Sequence, residues 1–239
     1  MIPDVVRREE ERIRRAYAAR GSGEGEVEDA RYSWLSAGHQ LIAQGAERGL
    51  LRALARAGVR TLARSRVLEV GCGSGQWLRA LVQWGARPEH VTGIDLQLGR
   101  LAEARSRCAG GVGLAAASGA SLPFADGTFD AVLQSTVFTS ILDPAVRRAV
   151  AGEMLRVLRP GGVVLWYDFL VDNPRNPDVR GVRRGEVRAL FPGCRVELRR
   201  ITLAPPLARA LAPRLRPLAV LLSAIPPLCT HLVGSIERT

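Results

Sequence analysis

At 239 residues, with 47% hydrophobic residues, 25 glycines and only 5% aromatics, the chain suits one α/β domain with appended helices and a core of Ala, Leu and Val. All 34 basic residues are arginine, and the net charge of +11 is local: residues 175–216 hold 11 Arg against 3 acids, whereas residues 67–174 hold 9 against 10. Four cysteines without a CxxC pair, a charged start and a longest apolar run of 13 residues (Pro217 to Cys229) argue against a disulfide scaffold, a metal centre, a secretory leader and a membrane span, so a reducing, cytoplasmic setting is expected.

Residues 4–20 read as a charged helix with Glu10–Arg14 and Glu11–Arg15 at i,i+4 spacing and a thin apolar face (Val6, Ile13, Tyr17) that calls for a larger surface to dock on. Residues 21–30 form a small, glycine-rich linker, and a second helix spans about 38–57. From residue 66 the pattern alternates: strand 66–70, helix 75–84, strand 90–94, helix 97–108, strand 112–116 and strand 129–133. Asp143-Pro144 supplies an N-cap and a first-turn proline for a helix that ends near Arg159-Pro160-Gly161-Gly162, before a strand over 163–169. A helix over 182–190, a strand over 195–203, proline-broken helices over 206–225 and a strand near 228–236 follow. This alternation predicts a parallel sheet with helices on both faces and a ligand crevice at the carboxyl ends of its strands.

Two features place chemistry there. Gly71, Gly73 and Gly75 stand at the turn from the first strand into its helix, where bare backbone and free N–H groups can approach a ligand. Gln76 occupies the position that would complete a dinucleotide GxGxxG. Glu69 sits inside the strand, where a carboxylate needs a partner. Asp95 ends the second strand, 20 residues after Gly75, placed to accept hydrogen bonds from both hydroxyls of a ribose.

With these residues in view, the chain resembles the class I S-adenosylmethionine (SAM)-dependent methyltransferases of the small-molecule "methyltransferase domain 11" type. Val67–Gly75, Gly93-Ile94-Asp95, Leu122–Asp130 and Leu155–Gly162 carry the likeness, which covers roughly residues 65–170. It implies a Rossmann-like fold of seven mostly parallel strands with the last antiparallel. A helical cap over 1–60 would precede a SAM-binding domain over 61–239 with an insertion around 204–227. By position, Gly71, Cys72, Gly73 and Gly75 would line the methionine half of SAM and Glu69 would support that loop and the methionine amino group. Asp95 would hold the ribose, Leu96 would pack on adenine, and the main chain near Gln134 would face the amino group. Relatives usually carry Asp where this chain has Ser118, whose hydroxyl would accept the adenine bond more weakly.

The segment before the first strand folds over SAM in similar enzymes, so Tyr32 is expected at the cofactor and His39 at the acceptor. His39 and Asp168, which ends the fifth strand, are the candidate general bases for a hydroxyl acceptor. O-methylation of a small, partly apolar and anionic molecule (a glycolipid, quinone or secondary metabolite) is the expected reaction. A non-catalytic SAM-binding scaffold and an RNA or protein methyltransferase are the alternatives. Asp172-Asn173-Pro174 follows the fifth strand rather than the fourth, which separates it from the nucleic-acid amine methyltransferase motif, and no RNA-reading module is evident, so a nucleic-acid partner is not expected. The leucines over 207–222 at helical spacing beside Arg209, Arg214 and Arg216 suit a lid over an apolar acceptor, a homodimer face, an element resting on a membrane, or a plain covering layer.

Overall fold

In the computed structural model, which describes residues 3–21 and 33–238, the chain forms α1 (Asp4–Gly21), α2 (Ala37–Arg56), β1 (Val67–Val70), α3 (Gln76–Gln83), β2 (Val91–Asp95), α4 (Leu98–Arg107), β3 (Gly113–Ala116) and β4 (Phe129–Ser135). Then come α5 (Pro144–Val157), β5 (Leu158–Phe169), α6 (Arg184–Leu190), β6 (Arg195–Leu203), α7 (Pro205–Leu211), α8 (Arg216–Ser223) and β7 (Cys229–Glu237). The strands make one sheet in the order β3-β2-β1-β4-β5-β7-β6. Six strands run one way, and β7 enters antiparallel between β5 and β6. This is the Rossmann-like class I arrangement expected from the motifs.

The central strands are buried on both faces, as continuous apolar runs demand. On one face α1, α5 and α6 contribute Val6, Ile13, Val150, Met154 and Val187 to a core that includes Trp166 and Phe138. On the other, α2, α3 and α4 bring Leu50, Leu54, Trp77, Leu81 and Leu101 against Val67, Leu133 and Leu165. Within residues 1–60, α1 covers the cleft end of one face, while α2 is part of the layer on the other. Arg147 of α5 is buried but paired, its Nε donating to Ile141 O at 2.6 Å and its guanidinium meeting Glu186, so its charge is not buried alone.

Two boundaries shift for local reasons. β5 begins at Leu158 rather than Val163: Leu158 pairs with Phe129, Arg159–Gly162 bulge out with Gly161 at φ +71°, and pairing resumes at Val163 opposite Ala131. Val182 is not helical, because its N–H donates to Phe169 O at 2.8 Å and holds it against the strand end. The proline-broken helices expected over 206–225 are α7 and α8, with Pro213 between them and Pro217 in the first turn of α8.

Candidate cofactor site

The turn from β1 into α3 holds Gly71, Gly73 and Gly75 at φ +70°, +50° and +77°, a backbone region that costs other residues about 1–2 kcal/mol. Two of the three are also forced by packing. A Cβ on Gly71 would lie 2.5 Å from Val137 Cγ2, and one on Gly75 would lie 2.6 Å from Cys108 Sγ. A Cβ on Gly73 would meet only the Arg100 guanidinium, at 3.2 Å, so this glycine presents open backbone.

Asp95 orders that turn. Its Oδ2 accepts the Gly73 N–H at 2.8 Å and its Oδ1 accepts the Gln97 N–H at 2.9 Å. A carboxylate offers about four acceptor sites, so two remain for ligand hydroxyls. Beside it runs a cleft walled by Val70, Ile94, Leu96, Val146 and Val150, by Ala117, Gly119 and Ala120, and by the segment Ser135–Val137 that leaves β4. Thr136 in that segment adopts φ +57°, a strained conformation for a β-branched residue, held by its N–H donating to Tyr167 O at 2.8 Å.

The roof of the cleft is α1, through Glu10, Ile13 and Tyr17. Tyr17 Oη and Ser140 Oγ share a hydrogen bond of 3.1 Å, Arg12 donates to Ser140 O at 2.5 Å, and Glu9 Oε1 accepts the Leu142 N–H at 2.5 Å. Burial works against the Glu9 charge, but Arg12 and the N–H groups of Leu142 and Asp143 outweigh it and hold its carboxyl below the usual range. Arg100 of α4 closes the corner, 4.9 Å from the Tyr17 ring centroid in a cation–π contact. Sequence reasoning missed Glu10 and the pinning role of Arg12. Their only signal was the thin apolar face of the helix, whose Ile13 and Tyr17 do face the cleft.

The other expected site residues are distributed unevenly. Gly71, Asp95 and Leu96 line the cleft. Cys72 is buried beneath the turn, its N–H donating to Ile94 O at 2.9 Å and its thiol pushed up by burial. Glu69 is buried on the opposite face of the sheet from the cleft, below α3. Burial, then the nearby Asp95 charge, raises its carboxyl well above the usual value, and its Oε2 finds no hydrogen-bond partner among the described residues. Gln134 is fully buried; its Oε1 accepts the Val137 N–H at 3.2 Å and its Nε2 is left without a partner among the described residues. Ser118 is buried; its Oγ accepts the Ala120 N–H at 3.1 Å and it bridges to Ser121, while its neighbours Ala117, Gly119 and Ala120 line the cleft.

His39 lies in the first turn of α2, half-buried against the Trp34 ring at 5.5 Å, and is not among the cleft-lining residues; burial lowers its pKa. Asp168 is fully buried and accepts from Thr139 N, the Thr139 hydroxyl and Phe169 N, which fixes the turn Phe138–Ser140. Burial pushes it up to about 6 against those donors. Tyr32 lies outside the described residues. The donor set fits a nucleoside joined to an amino acid. It offers a carboxylate with spare acceptors, an apolar slot and backbone exposed at a glycine.

Comparison with known proteins agrees. Residues 67–162 match the family model of a methyltransferase domain. The chain is 36% identical over 129 residues to a demethylmenaquinone methyltransferase of Clavibacter sepedonicus, covering 53% of this chain and 48% of that protein. It is 35% identical over 108 residues to the ubiquinone/menaquinone biosynthesis C-methyltransferase UbiE of Methylobacterium nodulans, covering 44% of this chain and 42% of that one. The chain thus spans about half the length of these curated relatives. A SAM-dependent methyltransferase from Methanosarcina mazei shares the fold at 19% identity and a TM-score of 0.54, over 73% of this chain and 92% of that one. The sheet is the Rossmann-like fold of SAM-dependent methyltransferases, and the stretch from β1 to the bulge of β5, roofed by α1, matches a methyltransferase domain.

Proposed function

We propose that the chain transfers the methyl group of S-adenosyl-L-methionine to a small, partly apolar acceptor. The observation that carries this is the Asp95 carboxylate, anchored by two backbone N–H groups beside the Gly73 backbone and still able to accept from two hydroxyls. When bound, the cofactor supplies a sulfonium-activated methyl that needs a nucleophile in line and water kept away. Positioning of that kind is worth on the order of 7–11 kcal/mol. In our reading Asp95 grips the ribose, the Gly71–Gly75 turn and the main chain near Gln134 hold the methionine part, and α1 excludes water above it. Ser118 leaves the adenine edge to main chain.

For a hydroxyl acceptor we name His39, whose pKa burial lowers, as the base, and Asp168 is assigned to holding the Phe138–Ser140 turn. The sequence reading favours oxygen as the acceptor atom; the printed name of the Methylobacterium nodulans relative, a C-methyltransferase, favours carbon as the second reading. Incubation with ¹³C-methyl SAM and a panel of quinols, phenols and glycolipids, followed by mass spectrometry and NMR of the product, decides both acceptor and atom. SAM binding without turnover of any panel member would favour a scaffold, and absence of SAM binding would remove the proposal.

A further inference from the structure

Among the described residues, large exposed hydrophobic side chains belong to the Trp34–Leu35 turn and the segment from Leu215 to Ile225. Leu35 is 95% and Leu221 66% exposed, and Trp34, Leu215, Leu218 and Ile225 are also exposed. Two separate stretches of sequence supply them, and the packing joins these stretches. Gly38, at the start of α2, sits so close to Arg209 of α7 that a Cβ there would lie 2.8 Å from the Arg209 backbone. Gln40 donates to Trp34 O at 2.6 Å and accepts from Arg216 at 3.1 Å, while Gln44 accepts from the same guanidinium at 3.2 Å. The inner sides of α2, α7 and α8 meet through Leu41, Ala208, Ala212 and Ala219 over Leu203. The outward leucines are therefore held by a packed layer, pointing away from it.

Charge decides what this face suits. Between Glu197 and Glu237 the sequence has no acidic residue but five arginines, and residues 33–46 have no acid either. Arg209 and Arg214 stand beside the exposed leucines. Short helices with leucine on one side, arginine at the flanks and a tryptophan at the margin match the boundary between headgroups and acyl chains. An acidic leaflet complements the arginines. We propose that the Trp34–Leu35 turn and α7–α8 form a docking surface for an anionic phospholipid bilayer. This rests on surface composition alone and does not depend on the transfer reaction.

Sedimentation of the full chain with vesicles of equal parts phosphatidylglycerol and phosphatidylcholine tests it. The protein should pellet with these vesicles, at least roughly tenfold less with phosphatidylcholine alone, and less as salt rises. Leu218→Asp/Leu221→Asp should lower partitioning roughly tenfold or more while the affinity for S-adenosylhomocysteine, read by calorimetry, stays at the wild-type value and reports an intact fold. The Trp34 fluorescence should shift to the blue on vesicle addition, a change that Trp34→Phe removes. Wild-type protein left in the supernatant, or equal pelleting by the double variant, would overturn the proposal. So would a dimer in vesicle-free solution that the double variant dissolves while the wild type ignores vesicles, since that assigns the face to a second copy.

Discussion

Replacing Asp95 by Ala probes the cleft at its most informative point. The carboxylate does two things at once: it anchors the N–H groups of Gly73 and Gln97 at 2.8 and 2.9 Å, and it keeps acceptor capacity for the ribose. Hydrogen bonds to a charged acceptor contribute about 1.5–3 kcal/mol each. Water can replace part of this at a half-buried site, so a loss of SAM affinity of tenfold or more is expected, about 1.4 kcal/mol as a lower bound. Asp95→Asn separates the two roles. It keeps one acceptor oxygen, but sets an amide N–H₂ against either Gly73 N–H or Gln97 N–H, so it should bind SAM more weakly than wild type. Calorimetric titration with SAM gives the affinities, and thermal unfolding without ligand shows whether the fold survives. Unchanged affinity in a folded Asp95→Ala protein would refute the assignment of the ribose to this residue.

Gly71→Ala should weaken SAM binding by about 1–2 kcal/mol for the left-handed backbone plus the cost of moving Val137. Adding Val137→Ala should recover only the second part, so a purely additive double-mutant cycle by calorimetry would argue against the contact. For Asp168, burial raises the folded pKa from 3.8 to about 6, so the folded state binds more protons than the unfolded. Its contribution to stability is then greatest below pH 4 and falls as pH rises to about 6. The stability difference between wild type and Asp168→Asn, measured by denaturant titration, should shift toward the variant by up to about 3 kcal/mol across that window. Arg12→Met removes the bond to Ser140 O and the partner of Glu9; SAM affinity should drop several-fold while the melting temperature changes by a few degrees. Cys72 should resist alkylation at pH 8 in the native protein and react only on unfolding, as peptide mass spectrometry would register, because burial holds its thiol protonated.

The parts of the fold written in local pattern were readable from the sequence. The apolar runs of β1, β2 and β4, the Asp143-Pro144 helix start and the glycine turn all depend on neighbours a few residues away. Asp143 Oδ1 does accept the N–H groups of Ala145 and Val146, at 2.7 and 3.2 Å. What stayed hidden depends on pairs distant in sequence. Arg12 and Ser140 are 128 residues apart, and no periodicity in α1 says that its polar side would grip the turn after β4. Ser118 read as a weak stand-in for a missing carboxylate because the resemblance supplied a slot. Its bond to Ala120 N–H is a local turn that a serine makes as readily. The bulge at Arg159–Gly162 was taken for a plain turn, since Pro-Gly-Gly signals a chain reversal equally well in either setting.

The placement of β7 bears on how the molecule assembles. Among the described residues, β6 has no strand neighbour except β7, and the outer edge of β5 is likewise satisfied only by β7. Until residues 229–237 emerge, a nascent chain therefore carries two open hydrogen-bonding edges with α7 and α8 strung between them. Closure of that gap should be the late, stability-determining step of synthesis, and mutations that slow it would expose sheet edges able to pair with other chains.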